Sequence, residues 1–182
     1  MTEQTSTAAR TQARVETRTR KKEPKQEIRE AAERLWSKRG FHATGIQELC
    51  EEVTMGRGSL YYHIQSKEDL LLEISLHHLE KLIDDGKNIL REEASSTDLL
   101  YRLSQNLMRN ISDHKDGWTV FFSEIRSLNG DRRERVLTRR AVYENIWVKV
   151  MERGVLAGEF RETSKILVKG VLGMHNYSYL WL

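Results

Sequence analysis

Residues 46–64 read IQELCEEVTMGRGSLYYHI and carry two short helical patterns separated by a break. Apolar side chains of the first pattern recur every three or four positions, which predicts a helix over residues 46–53 with one buried face. Residues 54–56 interrupt the pattern, and a second short helix is predicted over residues 57–64. Two such helices joined by a tight turn that contains glycine are typical of a helix-turn-helix, whose second helix enters the major groove of DNA.

The second predicted helix has an exposed face whose side chains suit DNA. Arg57 can donate two parallel hydrogen bonds to guanine, while serine, tyrosine and histidine side chains can reach phosphate oxygens. Glycines at the start of this helix allow it to lie close to a sugar-phosphate backbone. In an alternative interpretation, Tyr61 packs against the long helix that follows and His63 is an ordinary surface residue. The candidate DNA contacts on this helix are Arg57, Gly58, Ser59, Tyr61, Tyr62 and His63.

Helical periodicity extends outward from this segment in both directions. Upstream, a helix follows Pro24 and ends before Gly40. Downstream, Lys67 begins a long helix over residues 67–91, and it is a further candidate DNA contact because a helix N-terminus and an ammonium group both favour phosphate. More helices are predicted over residues 97–113, 116–128, 131–156 and 164–182, and no strand is predicted.

These patterns predict an all-α fold with an N-terminal three-helix helix-turn-helix head and a larger helical body. The predicted limits are residues 24–70 for the DNA-binding head and residues 71–182 for the body. Residues 1–23 lack apolar periodicity and are predicted to form a disordered basic arm. The arm is either a solvated tail or a segment that contacts nucleic-acid phosphates.

The charge of the sequence is unevenly distributed along the chain. The whole sequence has 30 basic and 27 acidic side chains, a net charge of +3. Residues 1–67 contain 13 of the basic and 9 of the acidic side chains, a net charge of +4, so residues 68–182 are close to neutral. A positive N-terminal segment predicts an anionic partner at that end of the molecule.

Several classes of protein are excluded by what the sequence lacks. A single cysteine, Cys50, cannot form an internal disulfide and is predicted to be a small core residue. No apolar run approaches the roughly 18 residues of a membrane span, and no secretory signal is present, so a cytoplasmic protein is expected. No enzymatic motif occurs. His77 and His78 point about 100° apart on a helix and make a poor metal pair, so neither a metal nor a cofactor is expected.

Two segments of the head resemble the TetR family of one-component transcriptional regulators. They are residues 40–46, which read GFHATGI, and residues 58–70, which read GSLYYHIQSKEDL. The resemblance is specific over residues 25–72 and architectural beyond them. It implies that phosphates are held by Thr44, Tyr61, His63 and Lys67, and that bases are faced by Arg57, Gly58 and Tyr62. Gly45 and Gly56 depart from the family pattern, because serine or threonine is common at both positions.

The same resemblance implies a homodimer that binds an inverted-repeat DNA operator and is released by a small-molecule effector. The effector must bind the state that does not bind DNA more tightly, and the long helix from Lys67 would transmit the change. The family's dimer uses its eighth and ninth helices, whereas this sequence predicts about eight helices, so a final helix is expected to be lacking. A repressor is the first prediction. The alternatives are a DNA-binding protein without a ligand switch and an activator of the same fold.

The effector pocket is predicted to lie among aromatic side chains of the middle helices. The candidate walls are Met108, Trp118, Phe121, Phe122, Tyr143 and Trp147. Aromatic residues at helical spacing are also typical of an ordinary core. Residues 131–140 contain five arginines, which form either a solvated face or a site for a ligand with phosphates. Residues 121–126, FFSEIR, are similar to a segment of regulators of fatty-acid or sterol breakdown, so an acyl-CoA thioester is the first candidate effector.

Overall fold

The computed structural model describes residues 23–182, and within this range all regular elements are helical. The α-helices are α1 (Pro24–Arg39), α2 (Ile46–Glu52), α3 (Arg57–His63), α4 (Lys67–Leu90), α5 (Ser96–Asp113), α6 (Lys115–Glu124), α7 (Gly130–Leu156) and α8 (Lys165–Asn176). Single 3-10 turns follow α6 (Ile125–Ser127) and α8 (Tyr177–Leu180). The predicted all-α fold is confirmed. The predicted arm lies outside the described residues except for Glu23.

Helices α1, α2 and α3 form the head around a common core. Pro24 begins α1, where its missing N–H removes no helical hydrogen bond. Gly40 ends α1 with φ +88°, a conformation that favours glycine, and its N–H bonds to the carbonyl of Trp36. Cys50 is buried, as predicted. The buried apolar side chains of the head include Ile28, Ala31, Ala32, Trp36, Leu49, Leu60 and Ile64.

Helix α4 belongs to both the head and the body. It begins at a cap in which the Ser66 hydroxyl accepts the backbone N–H of Asp69 at 3.0 Å. Its later turns pack against α5 and α7, and these three helices form the centre of the body. The predicted boundary between residues 70 and 71 therefore falls inside one continuous helix, and the domain limits stay a prediction.

Two predicted helices end earlier than their sequence patterns suggest. Helix α6 ends at Glu124, whose carboxylate turns toward the head and accepts the backbone N–H of Phe41 at 3.2 Å. Helix α8 ends at Asn176, and the tighter turn that follows stacks Tyr179 on Phe122 with ring centroids 5.1 Å apart. In both places a tertiary contact replaces the last turns of α-helix. Of the helices in the described range, none has the length and apolarity that crossing a bilayer requires.

Helix α6 joins the body to the head along the length of α1. At its start, the Ser37 hydroxyl donates to Asp116 at 2.7 Å. Just beyond its end, the imidazole Nε2 of His42 lies 2.9 Å from the Ser127 hydroxyl. Beside Gly117 at the start of α6, the buried Glu33 carboxylate of α1 lies 3.0 Å from Nε2 of His78 on α4. The orientation of the head is therefore set by contacts from both α4 and α6.

Candidate nucleic-acid interface and body cavity

The turn between α2 and α3 fixes the direction in which α3 leaves the head. Thr54 has φ +54°, an uncommon conformation for a residue with a side chain, and the N–H of Met55 bonds to the Cys50 carbonyl at 2.9 Å. Helix α3 then buries Leu60 and Ile64, which are 0% and 4% exposed, against the rest of the head. Because one face of this short helix is buried, its opposite face points to solvent.

The exposed face of α3 gathers the predicted contacts of that helix on one surface. Tyr62 is 86% exposed and Tyr61 is 42% exposed, although both are large aromatic residues. The Arg57 guanidinium lies 6.0 Å from the Tyr61 ring centroid, and His63 is half-buried with its ring 5.2 Å from that of Tyr62. Gly58 and Ser59 are exposed beside them. These groups offer a guanidinium, hydroxyls and aromatic edges to a single partner surface.

Acidic side chains of α2 next to this surface are partly neutralised by α1. Arg34 donates to Glu52 at 3.0 Å, and the Arg39 guanidinium lies 3.6 Å from Glu48. Such exposed pairs add little to stability. They do reduce the negative charge that a nucleic-acid phosphate would meet at α2.

The glycines at the start of α3 are not required by the packing of the head. A Cβ atom added at Gly56 or Gly58 would meet no atom within 4 Å, and neither residue has the positive φ that favours glycine. The space above them is open. The open space beside Gly58 would allow close approach of something outside the chain.

We expect Gly58→Ala to separate stability from DNA binding. The free energy of unfolding should stay unchanged or rise by up to about 1 kcal/mol, because alanine favours helix and meets no clash. Affinity for operator DNA should fall about tenfold or more, since a tightly packed contact tolerates an added methyl poorly. Thermal melts and a DNA titration measure the two effects. Unchanged DNA affinity would show that Gly58 does not face the duplex.

The structure corrects the predicted role of Thr44. This residue is only 1% exposed, and its hydroxyl donates to the carbonyl of Gly40 at 3.0 Å. The hydroxyl hydrogen is therefore already used in a hydrogen bond within the link between α1 and α2. The phosphate contact that the family resemblance implies for this side chain is not supported by its position.

Lys67 has an inward role that sequence reasoning missed. Its ammonium group donates to the carbonyl of Phe41 and lies 4.2 Å from the centroid of the Phe41 ring. Burial lowers the pKa of Lys67, and the carboxylates of Glu68, Glu124 and Glu48 oppose that shift. The cation thus fastens the start of α4 to the link between α1 and α2. Its remaining hydrogens are the ones open to the predicted phosphate contact.

We expect Lys67→Ala to lower the free energy of unfolding by about 1–2 kcal/mol, because it removes a charged hydrogen bond and a cation–π contact. If Lys67 also holds a phosphate, affinity should fall equally on all DNA sequences and the salt dependence should become shallower by about one unit. Denaturant unfolding and salt titrations measure these effects. An unchanged unfolding free energy would contradict the fastening role.

The body contains a cavity of about 290 Å³ beneath α6. Four predicted wall residues line it, namely Trp118, Phe121, Phe122 and Tyr143, together with leucines of α4, α5 and α8. The other two predicted walls are corrected. Trp147 lies one turn beyond Tyr143 and is buried against Tyr143 and His175. Met108 is half-buried and is not among the residues that line this cavity. The volume is near the lower end of the range of about 300–1,000 Å³ for small-molecule sites.

The cavity combines an apolar interior with polar groups at defined places. The Tyr143 hydroxyl is buried and has no hydrogen-bond partner among residues 23–182, and burial raises its pKa. At the edge, the Arg140 guanidinium stands 5.9 Å from the Phe121 ring centroid. Lys169 lies 3.9 Å from Glu144 and is largely exposed. A ligand with an apolar part, one hydrogen-bonding group and an anionic end would fit this arrangement.

Two family models match the sequence. "Bacterial regulatory proteins, tetR family" matches residues 28–74, and "Tetracyclin repressor-like, C-terminal domain" matches residues 93–182. Together they cover more than half of the chain. Among curated proteins, the HTH-type transcriptional repressor KstR2 of Rhodococcus jostii is 26% identical over 136 residues, which are 74% of this chain and 67% of that protein.

Solved structures with the same architecture are also similar. The TetR family transcriptional regulator PfmR from Thermus thermophilus has a TM-score of 0.80 and 29% identity, and the match covers 85% of both chains. The structure of AibR in complex with isovaleryl coenzyme A and operator DNA has a TM-score of 0.79 and 23% identity, with 88% of both chains covered. At that identity the second likeness shows a shared fold.

Proposed function

Because this chain belongs to the TetR family and is a transcriptional regulator, we propose that it represses genes by placing α3 in the major groove of an operator. The observation that carries the proposal is the exposed face of α3, where Arg57, Tyr61 and Tyr62 meet solvent opposite buried Leu60. In this role Arg57 and Tyr62 face bases, while Tyr61, His63 and Ser59 contact phosphates. Gly58 lets the backbone approach.

The proposed operator is an inverted repeat, because two heads of a homodimer would bind two half-sites about one helical turn apart or a multiple of it. Exposed apolar side chains on and after α8 support the dimer. Ile166 is 83% exposed, and Met174, Tyr177 and Trp181 are each more than 60% exposed. An apolar surface of this kind marks an interaction site, and a second copy of the chain is the proposed partner.

The proposed effector is a small amphipathic molecule, with an acyl-CoA thioester as the first candidate. The apolar cavity with cationic groups at its edge supports this choice. So does the isovaleryl coenzyme A bound to AibR, a protein of the same fold. One face of α6 lines the cavity with Trp118 and Phe121, and the other holds the head through Asp116 and Glu124. An effector that displaces α6 would therefore shift the population of head orientations.

Footprinting of the DNA directly upstream of the gene tests this proposal. We expect a protected inverted repeat that is released by an acyl-CoA thioester, with isovaleryl-CoA, octanoyl-CoA and a steroid-derived CoA thioester as probes. If a protected inverted repeat is found but no thioester releases it, the repressor proposal would stand and the effector proposal would be overturned. Binding that is only salt-sensitive and independent of sequence would overturn the operator proposal.

A further inference from the structure

The arginines at and just before the start of α7 include two sets that differ in their partners, and Arg135 belongs to neither set. Arg132 donates to Asp69 at 2.8 Å, and Arg139 forms a two-pronged contact with Glu80. Both carboxylates belong to α4, so this set fastens α7 to α4. These arginines explain part of the charge run as structural ion pairs.

The second set faces away from α4 and is not neutralised. Within residues 23–182, none of Arg126, Arg133 and Arg140 has an ion pair with a carboxylate. Their spacing of seven residues puts Arg133 and Arg140 on one side of α7, with Leu137 between them and Arg126 in the turn that precedes the helix. We call these three arginines the arginine stripe. Like charges held on one side of a helix repel each other, so a bound anion would stabilise them.

The arginine stripe lines a second cavity, of about 300 Å³, whose floor is Phe121 and Phe122. Phe121, Phe122 and Arg140 also line the apolar cavity of the body. The two spaces therefore adjoin, and the Arg140 guanidinium over the Phe121 ring stands at their border. An apolar chain in one space would therefore end close to the cationic space beside it.

We propose that the arginine stripe is a phosphate subsite, which holds the phosphate groups of an amphipathic ligand whose apolar end fills the adjoining cavity. This inference rests on the proposed function and assigns the anionic end of the effector to named residues. Guanidinium groups suit the role because they bind phosphate through two parallel hydrogen bonds and stay charged at any physiological pH. The phosphate could belong to a CoA thioester or to a phospholipid headgroup, and the experiment separates these sources.

The test is calorimetric titration in the absence of DNA with three probes that share an eight-carbon chain: octanoyl-CoA, octanoyl lysophosphatidate and octanoate. For the unaltered chain we expect octanoyl-CoA to bind at least about tenfold tighter than octanoate, a difference that rising salt reduces. In the double variant Arg126→Gln/Arg133→Gln, octanoyl-CoA binding should weaken about tenfold while octanoate binding changes less than about twofold. Arg140 is left in place because it packs on Phe121.

Arg135→Gln is the matched control. Arg135 is exposed on the same helix and carries the same charge, but it lines neither of the two adjoining cavities. The affinity of the Arg135→Gln variant for octanoyl-CoA should match that of the unaltered chain. Equal weakening in the control would overturn the subsite, since it would reveal an unspecific effect of net charge.

The other outcomes also decide the inference. If the double variant loses affinity for octanoyl lysophosphatidate alone, the result would support the phosphate subsite and assign it to a phospholipid headgroup. Equal affinity of the unaltered chain for octanoate and for both phosphate-bearing probes would overturn it. These titrations contain no DNA, so their failure would not affect the footprinting result. A protected inverted repeat would still support the proposed repressor.

Discussion

Arg57→Ala is expected to remove most of the preference for operator over unrelated DNA, at a cost of about 1–3 kcal/mol in operator affinity. Arg57 is the first residue of α3 and is exposed, and its guanidinium lies 6.0 Å from the ring centroid of Tyr61 on the same helix. Truncation therefore costs little packing energy. The change should act on base recognition directly, because a guanidinium is the side chain best suited to guanine in the major groove.

The measurement is a pair of titrations, one with operator DNA and one with a scrambled duplex at the same salt concentration. Operator affinity should fall while affinity for the scrambled duplex changes little. Arg39→Ala provides the control, since Arg39 is an exposed arginine of the head that lies on α1 and pairs with Glu48. An equal loss on both duplexes would assign Arg57 to phosphates instead of bases.

Gly117→Ala is expected to have the largest effect on stability, a loss of about 2–4 kcal/mol in the free energy of unfolding. An added Cβ would lie 2.7 Å from Cδ2 of His78 and 3.1 Å from the carboxyl carbon of Glu33. Both neighbours are buried, and they form the 3.0 Å contact that joins α4 to α1. The methyl group therefore cannot be accommodated by a side chain that swings into solvent. It must break the joint between head and body.

Chemical denaturation of Gly117→Ala and of Gly58→Ala tests this prediction. Alanine in a helix is favoured over glycine by about 1 kcal/mol, so the sign of the effect is decided by the available space. Gly117→Ala should lower the unfolding midpoint, whereas Gly58→Ala, which meets no atom within 4 Å, should leave it unchanged or raise it. A midpoint for Gly117→Ala equal to that of the unaltered chain would show that His78 and Glu33 are free to move.

The interface and the cavity were accessible to sequence reasoning to different extents. The predicted contacts on α3 are exposed except for half-buried His63, because burial of Leu60 and Ile64 directs the opposite face of the helix to solvent. In the body, periodicity identified the aromatic positions but not which of them border empty space. Trp118 lines the cavity whereas Trp147 is packed behind it, and only neighbouring helices decide between these outcomes. The seven-residue spacing of Arg126, Arg133 and Arg140 was the available signal for the arginine stripe.

The sequence by itself determined the helices, the helix-turn-helix and the family, because these depend on side chains within a few residues of each other. The tertiary structure decided what each helix face meets. Phe41 and Glu124 are 83 residues apart when they join head to body, and Arg132 and Asp69 are 63 residues apart. Helical periodicity predicts that a face will be buried, but the residues that bury it lie far away in the sequence. For that reason the inward cation of Lys67, the buried hydroxyl of Thr44 and the division of the arginines emerged only from the folded molecule.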